Sequence, residues 1–185
     1  MKLHLNKSLF IDSIKAASQQ MNIPEIYIEK DYWVTFVLHT LYNNPLGKET
    51  VFKGGTALSK CFGLIDRFSE DIDLVVLRKE GEANNQLTKK IRNISKLISA
   101  VLPEIEFSGI TQKRGMNRKT AHSYTKLFHG EYGQVRDMIV VEATWLGSSE
   151  PYTTQKVSSL IYEMMIAAGQ NQFAEEYDLL PLMML

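Results

Sequence analysis

Residues 51–77 read VFKGGTALSKCFGLIDRFSEDIDLVVL. A short apolar strand precedes Gly54-Gly55, and the residues that follow, Thr56 to Lys60, are typical of a short helix. Backbone N–H groups at such a turn and helix N-terminus can bind phosphate oxygens. Asp71 and Asp73 alternate at the start of a second apolar strand. Both carboxylates therefore lie on one face of that strand, where they can share a divalent metal ion.

A phosphate-binding turn followed by two strand carboxylates is the combination that nucleotidyl transfer requires. In that reaction Mg²⁺ bridges carboxylates and a nucleoside triphosphate while a hydroxyl attacks the α-phosphorus. Either half alone has a simpler explanation, because Gly-Gly is commonly a plain turn and Asp-x-Asp a solvated strand end. Their succession in one segment favours the functional interpretation. The pattern Gly-x4-Gly-Lys-Ser/Thr is absent, which disfavours a P-loop NTPase.

Helices are predicted on both sides of this segment. Apolar residues at helical spacing predict a first helix, with Ser8 as its N-cap, that ends near residue 21. A second helix is predicted from Pro24, since proline suits the first helical turn, to an end near Asn43-Asn44-Pro45. The clearest amphipathic pattern predicts a helix over residues 86–102.

After Pro103 the pattern changes to extended segments at 105–110, 123–128 and 138–146, and helix returns at about 155–168. We therefore expect an α/β (α+β) fold in which a mixed β-sheet carries the Asp pair on a central strand. Helices are expected to pack on one side of that sheet.

The composition is that of an ordinary folded domain. Of 185 residues, 44% are hydrophobic and 23% charged. Cys61 is the only cysteine, which excludes an intrachain disulfide and a cysteine-based zinc site and suits a reducing compartment. No window approaches the roughly 18 apolar residues of a membrane span. We expect a cytoplasmic protein with no membrane partner.

The formal net charge of zero hides a segregation of charge along the chain. Residues 84–130 hold nine basic and two acidic side chains, whereas 137–185 hold seven acidic side chains and one lysine. Four of the cations lie between Lys113 and Lys119, in a predicted loop between two strands. This loop is either simply solvated or a contact to the phosphates of RNA or of a nucleotide.

Three consecutive charged residues, Glu29, Lys30 and Asp31, lie on the predicted second helix. Because neighbours on a helix point in different directions, they cannot form one site alone. We expect a charged outer face there, with a contact to the rim of the site as the alternative.

The central segment resembles the signature of a known family. Lys53-Gly-Gly-Thr-Ala-Leu-Ser-Lys60 and Arg67-Phe-Ser-Glu-Asp-Ile-Asp73 closely resemble motifs of the AbiEii/AbiGii toxin family of nucleotidyltransferases, from type IV toxin–antitoxin and phage abortive-infection systems. Glu29-Lys-Asp-Tyr-Trp-Val34 resembles the helix that precedes this signature. The resemblance implies a DNA-polymerase-β-like nucleotidyltransferase fold and an NTP substrate with Mg²⁺. It also implies an RNA acceptor such as tRNA and a cognate antitoxin as partner.

The resemblance also assigns site residues. Asp71 and Asp73 would bind the metal and act in catalysis, and the superfamily usually adds a third carboxylate from a later strand. Glu142, a lone acid in the apolar strand from Ile139 to Trp145, is the candidate, with a solvent-facing role as the alternative. The predicted nucleotide-binding residues are Lys53, Gly54, Gly55, Thr56, Arg67 and Ser69. Arg67 would pair with phosphate or brace the first aspartate.

The predicted domain organisation is a nucleotidyltransferase core with N-terminal helices over residues 1–150 and the start of a C-terminal helical part over 151–185. Relatives usually continue with another lysine, near a Glu-Lys pair, and an Arg-Asp-x-x-Asp-like element. After Glu142 the only basic residue here is Lys156 and no Arg-Asp follows, so these elements are not supplied. The chain ends in the apolar run Leu179 to Leu185, which is either a buried last strand or an element that is cut. We favour a truncated chain. A non-catalytic remnant that binds nucleotide or an antitoxin stays open as the alternative function, and a metal-dependent glycosyltransferase is a weaker third.

Overall fold

The structure, a computed structural model, describes residues 1–64, 71–130, 136–147 and 151–185. The α-helices of these residues are α1 (Lys7–Met21), α2 (Glu25–Tyr42), α3 (Gly54–Phe62), α4 (Asn84–Ser99), α5 (Leu160–Ala167) and α6 (Asn171–Glu176). The β-strands are β1 (Thr50–Lys53), β2 (Asp71–Val76), β3 (Glu104–Ile105), β4 (Gln112–Arg114), β5 (Asn117–His122), β6 (Ile139–Thr144), β7 (Gln155–Val157) and β8 (Leu182–Met184).

The main sheet has six strands, in the order β1-β2-β6-β5-β3 with β4 paired to β5 outside this path. β2 and β6 run parallel, whereas β1 pairs with β2 and β5 pairs with β6 in antiparallel fashion. A parallel pair needs a long crossover, and here the chain between the two strands contains α4 and β3 to β5. The expected α/β fold with a mixed sheet is confirmed, and the Asp pair lies on an interior strand.

The two faces of the sheet differ in chemistry. On β2, Ile72 and Leu74 are fully buried in the main hydrophobic core, and α4 packs against β2, β5 and β6. Asp71 and Asp73 alternate with these residues and project from the other face, where they are half-buried. Period-two alternation therefore separates the core side chains from the carboxylates, as the sequence predicts.

Helix boundaries follow from the apolar pattern and the caps. α4 buries Leu87, Ile91, Ile94 and Ile98 in one stripe, which confirms the clearest helical prediction. α1 begins earlier than predicted, because Asn6 is the N-cap. The Asn6 side chain accepts a hydrogen bond from the backbone N–H of Leu9 at 3.3 Å.

The strands after Pro103 differ from the prediction. The basic residues between 113 and 119 form the β4-β5 hairpin itself, rather than a loop between two strands. Residues 123–128 were expected to form a strand and do not. The backbone N–H groups of Leu127 and Phe128 instead donate to the Glu29 carboxylate, at 2.8 and 3.0 Å. The Glu29 side chain thus accepts the hydrogen bonds that a neighbouring β-strand would otherwise accept, and alternation in the sequence cannot reveal this.

Residues 151–185 contribute to the same hydrophobic core. β7 and β8 form a two-stranded sheet, so the segment from 155 is a strand and the helix predicted there begins later, at Leu160. Ser159 caps α5, and its hydroxyl accepts from the N–H of Tyr162 at 3.1 Å. The C-terminal apolar run forms β8, and the N–H of Phe52 donates to the carbonyl of Leu185 at 2.9 Å. Among the described helices, none combines the length and apolar character needed to cross a membrane.

Candidate active site

Four charged side chains lie in one row across adjacent strands of the sheet. The register pairs Lys53 of β1 with Asp73 of β2, Asp73 with Glu142 of β6, and Glu142 with Lys119 of β5. Residues opposite each other on paired strands point to the same face, so the row consists of two carboxylates flanked by two ammonium groups. Asp71 adds a third carboxylate on this face of β2. The structure thus brings the three predicted carboxylates to one face of the sheet.

Gly54 lies directly against this row. β1 ends at Lys53 and α3 begins at Gly54, whose φ of +80° lies in the left-handed region that favours glycine. A Cβ atom added at Gly54 would overlap Oδ2 of Asp73 and lie 3.2 Å from its Cγ. Glycine is needed here both for the backbone conformation and for the close approach. The first N–H groups of α3, which lack intrahelical acceptors, therefore lie beside the carboxylates.

Thr56 connects the first turn of α3 to the start of β2. It is buried, and its hydroxyl donates to the backbone carbonyl of Asp71 at 2.6 Å. The hydroxyl therefore acts within the protein, to fix the helix against the strand. The backbone N–H groups of Gly55 and Thr56 belong to the helix N-terminus and are the groups that can face phosphate oxygens.

Arg136 is a residue of this site that the sequence analysis missed. One of its guanidinium nitrogens donates to Asp71, at 2.8 Å from Oδ1 and 3.1 Å from Oδ2. A signal was available, because Arg136 comes shortly before the strand that carries Glu142. Arginine at a carboxylate is also a residue that can bind phosphate, since its planar fork matches both groups.

Glu142 is held by two partners on β5. Asn117 donates to its Oε1 at 2.9 Å, and Lys119 lies 3.1 Å from its Oε2. Burial works against ionisation of Glu142, but the hydrogen bonds from Asn117 and Lys119 outweigh burial and lower the pKa of this carboxyl. Glu142 therefore contacts other side chains on this face of the sheet rather than only solvent. The register between β5 and β6 determines that Asn117 and Lys119 are the partners of Glu142. The sequence alone does not give this register.

Asp73 is shifted in the opposite direction. Burial raises the pKa of this carboxyl, and the charges of Glu142 and Asp71 raise it further, while Lys119 and Lys53 oppose the shift. Since Glu142 and Asp71 contribute to the raised pKa, the two lysines compensate the negative charge at Asp73 only in part. A bound cation would relieve this repulsion.

The carboxylates fit a magnesium ion in donor chemistry. Mg²⁺ prefers oxygen ligands, usually one or two carboxylates together with water and substrate phosphates. Asp71 and Asp73 supply such donors on one face, and Glu142 lies on the neighbouring strand. In the part of the chain that the structure describes, no group of three or more His, Cys, Asp or Glu side chains is arranged to hold a metal ion. This agrees with the pairing of Asp71 with Arg136 and of Glu142 with Lys119.

A family model described as nucleotidyl transferase AbiEii toxin, type IV toxin–antitoxin system, matches residues 36–174. The chain belongs to this family. The match covers the Gly54-Gly55 turn, the Asp pair and Glu142 and continues through most of the C-terminal residues. Membership makes the chain a nucleotidyltransferase relative from a toxin–antitoxin system and implies a nucleotide substrate and an antitoxin partner. No curated protein matches the chain.

Two nucleotide-binding residues that the resemblance assigns to this AbiEii family member, Arg67 and Ser69, lie outside the described residues. Their role stays a prediction. Lys53, Gly54, Gly55 and Thr56 lie around Asp73 and Asp71 as described above.

The expectation of a charged outer face at Glu29, Lys30 and Asp31 is wrong, because all three side chains are buried. Each fixes a different segment of the AbiEii fold. Glu29 accepts from the backbone N–H groups of residues 127 and 128. Lys30 donates to the carbonyl of Arg136 at 2.7 Å and to that of Met138. We call these three residues the buried charge cluster.

Asp31 completes the cluster by holding two helices. One of its oxygens pairs with Lys60 of α3, and the other accepts from the backbone N–H of Leu160 at the start of α5, at 2.8 Å. Consecutive helix residues point in different directions, so these three neighbours fix four segments, at 127–128, at 136–138, in α3 and at the start of α5. Two of these segments carry site groups, because α3 begins at Gly54 and Arg136 contacts Asp71. The buried charge cluster therefore fixes the positions of α3 and Arg136, which both carry groups of the site.

The basic hairpin of this family member has cations on both sheet faces. Lys119 contacts Glu142 on the active-site face, whereas the Nε of Arg118 donates to Ser95 of α4 at 2.8 Å on the other. Lys113 pairs with Glu104 at 2.6 Å. The hairpin is thus part of the sheet, and one of its lysines belongs to the site.

Proposed function

We propose that the chain is a Mg²⁺-dependent nucleotidyltransferase of toxin type, which transfers a nucleoside monophosphate from an NTP to a hydroxyl group of RNA, with tRNA as the leading acceptor. The observation that carries the proposal is the row of Lys53, Asp73, Glu142 and Lys119 beside Gly54. Family membership supports nucleotidyl transfer in general. The row supports the metal-dependent form, because strand carboxylates next to a helix N-terminus can hold a cation and a triphosphate together.

The residues of the chain divide into two roles. Backbone N–H groups at the start of α3, together with Lys53 and Arg136, bind and orient the triphosphate. Asp71, Asp73 and Glu142 would hold Mg²⁺, and the ion would supply neutralisation of phosphate charge and favour ionisation of the attacking hydroxyl.

The reaction is a displacement at the α-phosphorus. The acceptor oxygen forms a bond to this phosphorus, and the bond from the phosphorus to the bridging oxygen breaks. Pyrophosphate leaves with the electron pair, and the proton of the hydroxyl passes to a carboxylate of the row. The main work of the protein is to position the two substrates and to compensate charge.

The partners in this proposal follow from the family and from surface charge. Arg114 is exposed on β4 and lies opposite Asn117, which contacts Glu142, so Arg114 can contact the phosphates of an RNA acceptor near the site. A cognate antitoxin and a role in phage defence are further parts of the proposal that follow from the family. A cytoplasmic location is proposed from the single cysteine, Cys61, and from the family.

A transfer assay tests the proposal. Purified protein is incubated with Mg²⁺, total RNA and each of the four NTPs labelled at the α-phosphate, and label in RNA is measured. We expect Asp73→Asn to reduce incorporation on the order of 100-fold or more, since it removes a charge from the reaction centre. The matched control is Asp12→Asn, on the exposed side of α1, which should retain wild-type incorporation.

Equal incorporation by the wild type and Asp73→Asn would contradict the assignment. If the wild type transfers nothing with or without added tRNA but binds Mg²⁺ and NTP in calorimetry, the non-catalytic alternative is supported instead. A chain that binds neither ligand contradicts the transferase and the nucleotide-binding remnant, and leaves only a remnant that binds an antitoxin.

A further inference from the structure

A cavity of about 540 Å³ opens beside the candidate active site. Its floor contains Val51 of β1 and Val75 of β2, which form a cross-strand pair. The next pair on the same face is Lys53 with Asp73. Two residues along a strand span about 7 Å, so the floor of the cavity is one such step from the carboxylate row.

Helix α3 forms one wall of the cavity. Its first residue, Gly54, and four later residues, Ala57, Leu58, Cys61 and Phe62, line the space. Eight residues of helix rise about 12 Å, so this wall runs from the phosphate-binding end of α3 to an apolar end. Burial raises the pKa of the Cys61 thiol to about 11, so the thiol is neutral and behaves as an apolar lining group.

The opposite wall comes from the segment that begins at Pro151 and from the C-terminal residues. Tyr152 lines the cavity and is 43% exposed, and Phe62 of α3 is 45% exposed. Thr153 and Gln155 add polar groups to this wall. An apolar space of roughly 300 to 1,000 Å³ with a few polar groups is typical of a small-molecule site.

We propose that this cavity binds the nucleobase and ribose of the substrate NTP, with Phe62 and Tyr152 as stacking residues. The inference rests on the proposed function and extends it to a second part of the substrate. A triphosphate at the start of α3 leaves the rest of the nucleotide beside Gly54, which lines both the site and the cavity. Aromatic rings stack on the faces of all four bases, whereas Thr153 and Gln155 can distinguish their edges by hydrogen bonds.

Calorimetry with two kinds of ligand tests the inference. The four NTPs and inorganic tripolyphosphate are titrated, each with Mg²⁺, into the wild type and Phe62→Ala. Tripolyphosphate reports on the phosphate site alone because it has no base. We expect Phe62→Ala to weaken binding of the preferred NTP about tenfold and to leave tripolyphosphate binding unchanged.

A matched control is Phe107→Ala, because Phe107 is 46% exposed and lies outside the cavity lining. This variant should bind NTP as the wild type does. Tyr152→Ala is a second variant on the opposite wall, expected to act as Phe62→Ala does. Urea denaturation of all variants shows whether the fold is retained.

The outcomes separate this inference from the proposed function. If NTP binds Phe62→Ala and Tyr152→Ala as tightly as the wild type, or if tripolyphosphate binds the wild type as tightly as every NTP does, the inference fails and the proposed function stands. An equal loss of NTP and tripolyphosphate affinity in the variants also overturns it. If the wild type binds neither ligand, both fail.

Discussion

Replacing Gly54 by alanine tests whether the close approach of α3 to Asp73 matters. The new Cβ would overlap Oδ2 of Asp73 and lie 3.2 Å from Cγ and 3.3 Å from Cβ, so rotation of the carboxylate alone cannot make room. Alanine at a φ of +80° costs about 1–2 kcal/mol in backbone strain. Overpacking against Asp73 adds about 1–3 kcal/mol. We expect Gly54→Ala to lower the free energy of unfolding by about 2–5 kcal/mol in total.

Gly81→Ala is the matched control for this change. Gly81 has a φ of +73°, close to that of Gly54, and a Cβ added there meets nothing within 4 Å. It should therefore show the backbone strain alone, about 1–2 kcal/mol. Both proteins are unfolded in urea, and label transfer to RNA is measured in parallel. A displacement of Asp73 by about 1 Å should reduce transfer roughly 100-fold in Gly54→Ala, and Gly81→Ala should retain it.

The reasoning is refuted if the two variants are equally stable within about 0.5 kcal/mol, the error of such comparisons. That result would mean that the Asp73 side chain moves aside with no loss in the free energy of unfolding. Glycine would then be needed at position 54 only for the backbone conformation. Equal transfer by the two variants would refute the functional half of the prediction separately.

Two further predictions concern buried polar groups. Lys30→Met leaves the carbonyls of Arg136 and Met138 without their charged donor, and although it also removes a buried charge, it should lower the free energy of unfolding in urea by about 2–4 kcal/mol. Lys89→Met, on the exposed side of α4, is the control and should unfold at the wild-type urea concentration. Equal effects of the two substitutions would contradict the argument that burial makes Lys30 important. Burial lowers the pKa of His122, so the folded state stays neutral while the unfolded state takes up a proton below its value of 6.5. Stability is therefore complete above pH 6.5 and is lost as the pH falls, at up to about 1.4 kcal/mol per pH unit. Unfolding at pH 7.5 and 5.5 should show a smaller acid loss in His122→Asn than in the wild type, and identical losses would refute this assignment.

The sequence predicted the fold class and the central motif because both depend on local patterns. Alternation on β2 places Asp71 and Asp73 on one face whatever the neighbouring strands are. Glycine between a strand and a helix predicts a phosphate-binding turn in the same local way. Glu142 was found because an acid in an apolar strand is costly unless it has a function or a partner.

The missed features depend on pairing between distant segments. Arg136 and Asn117 contact Asp71 and Glu142 across segments that are distant in the chain, and such contacts are not visible in periodicity. The buried charge cluster was misjudged for a related reason. Three charged residues in a row on a helix normally face water, and only the tertiary structure supplies the backbone groups and lysine that allow Glu29 to Asp31 to be buried.

The parallel pairing of β2 with β6 has a consequence for synthesis of the protein. Asp73 and Glu142 lie far apart in the chain and meet only across this non-local pair. Pairings of this kind form late in folding, since a long loop must close first. A chain growing from its N-terminus carries the glycine turn and the Asp pair early, but it lacks β6 until residue 144 has emerged from the ribosome. A nascent chain with this topology cannot bring Asp73 and Glu142 together before β6 has been synthesised.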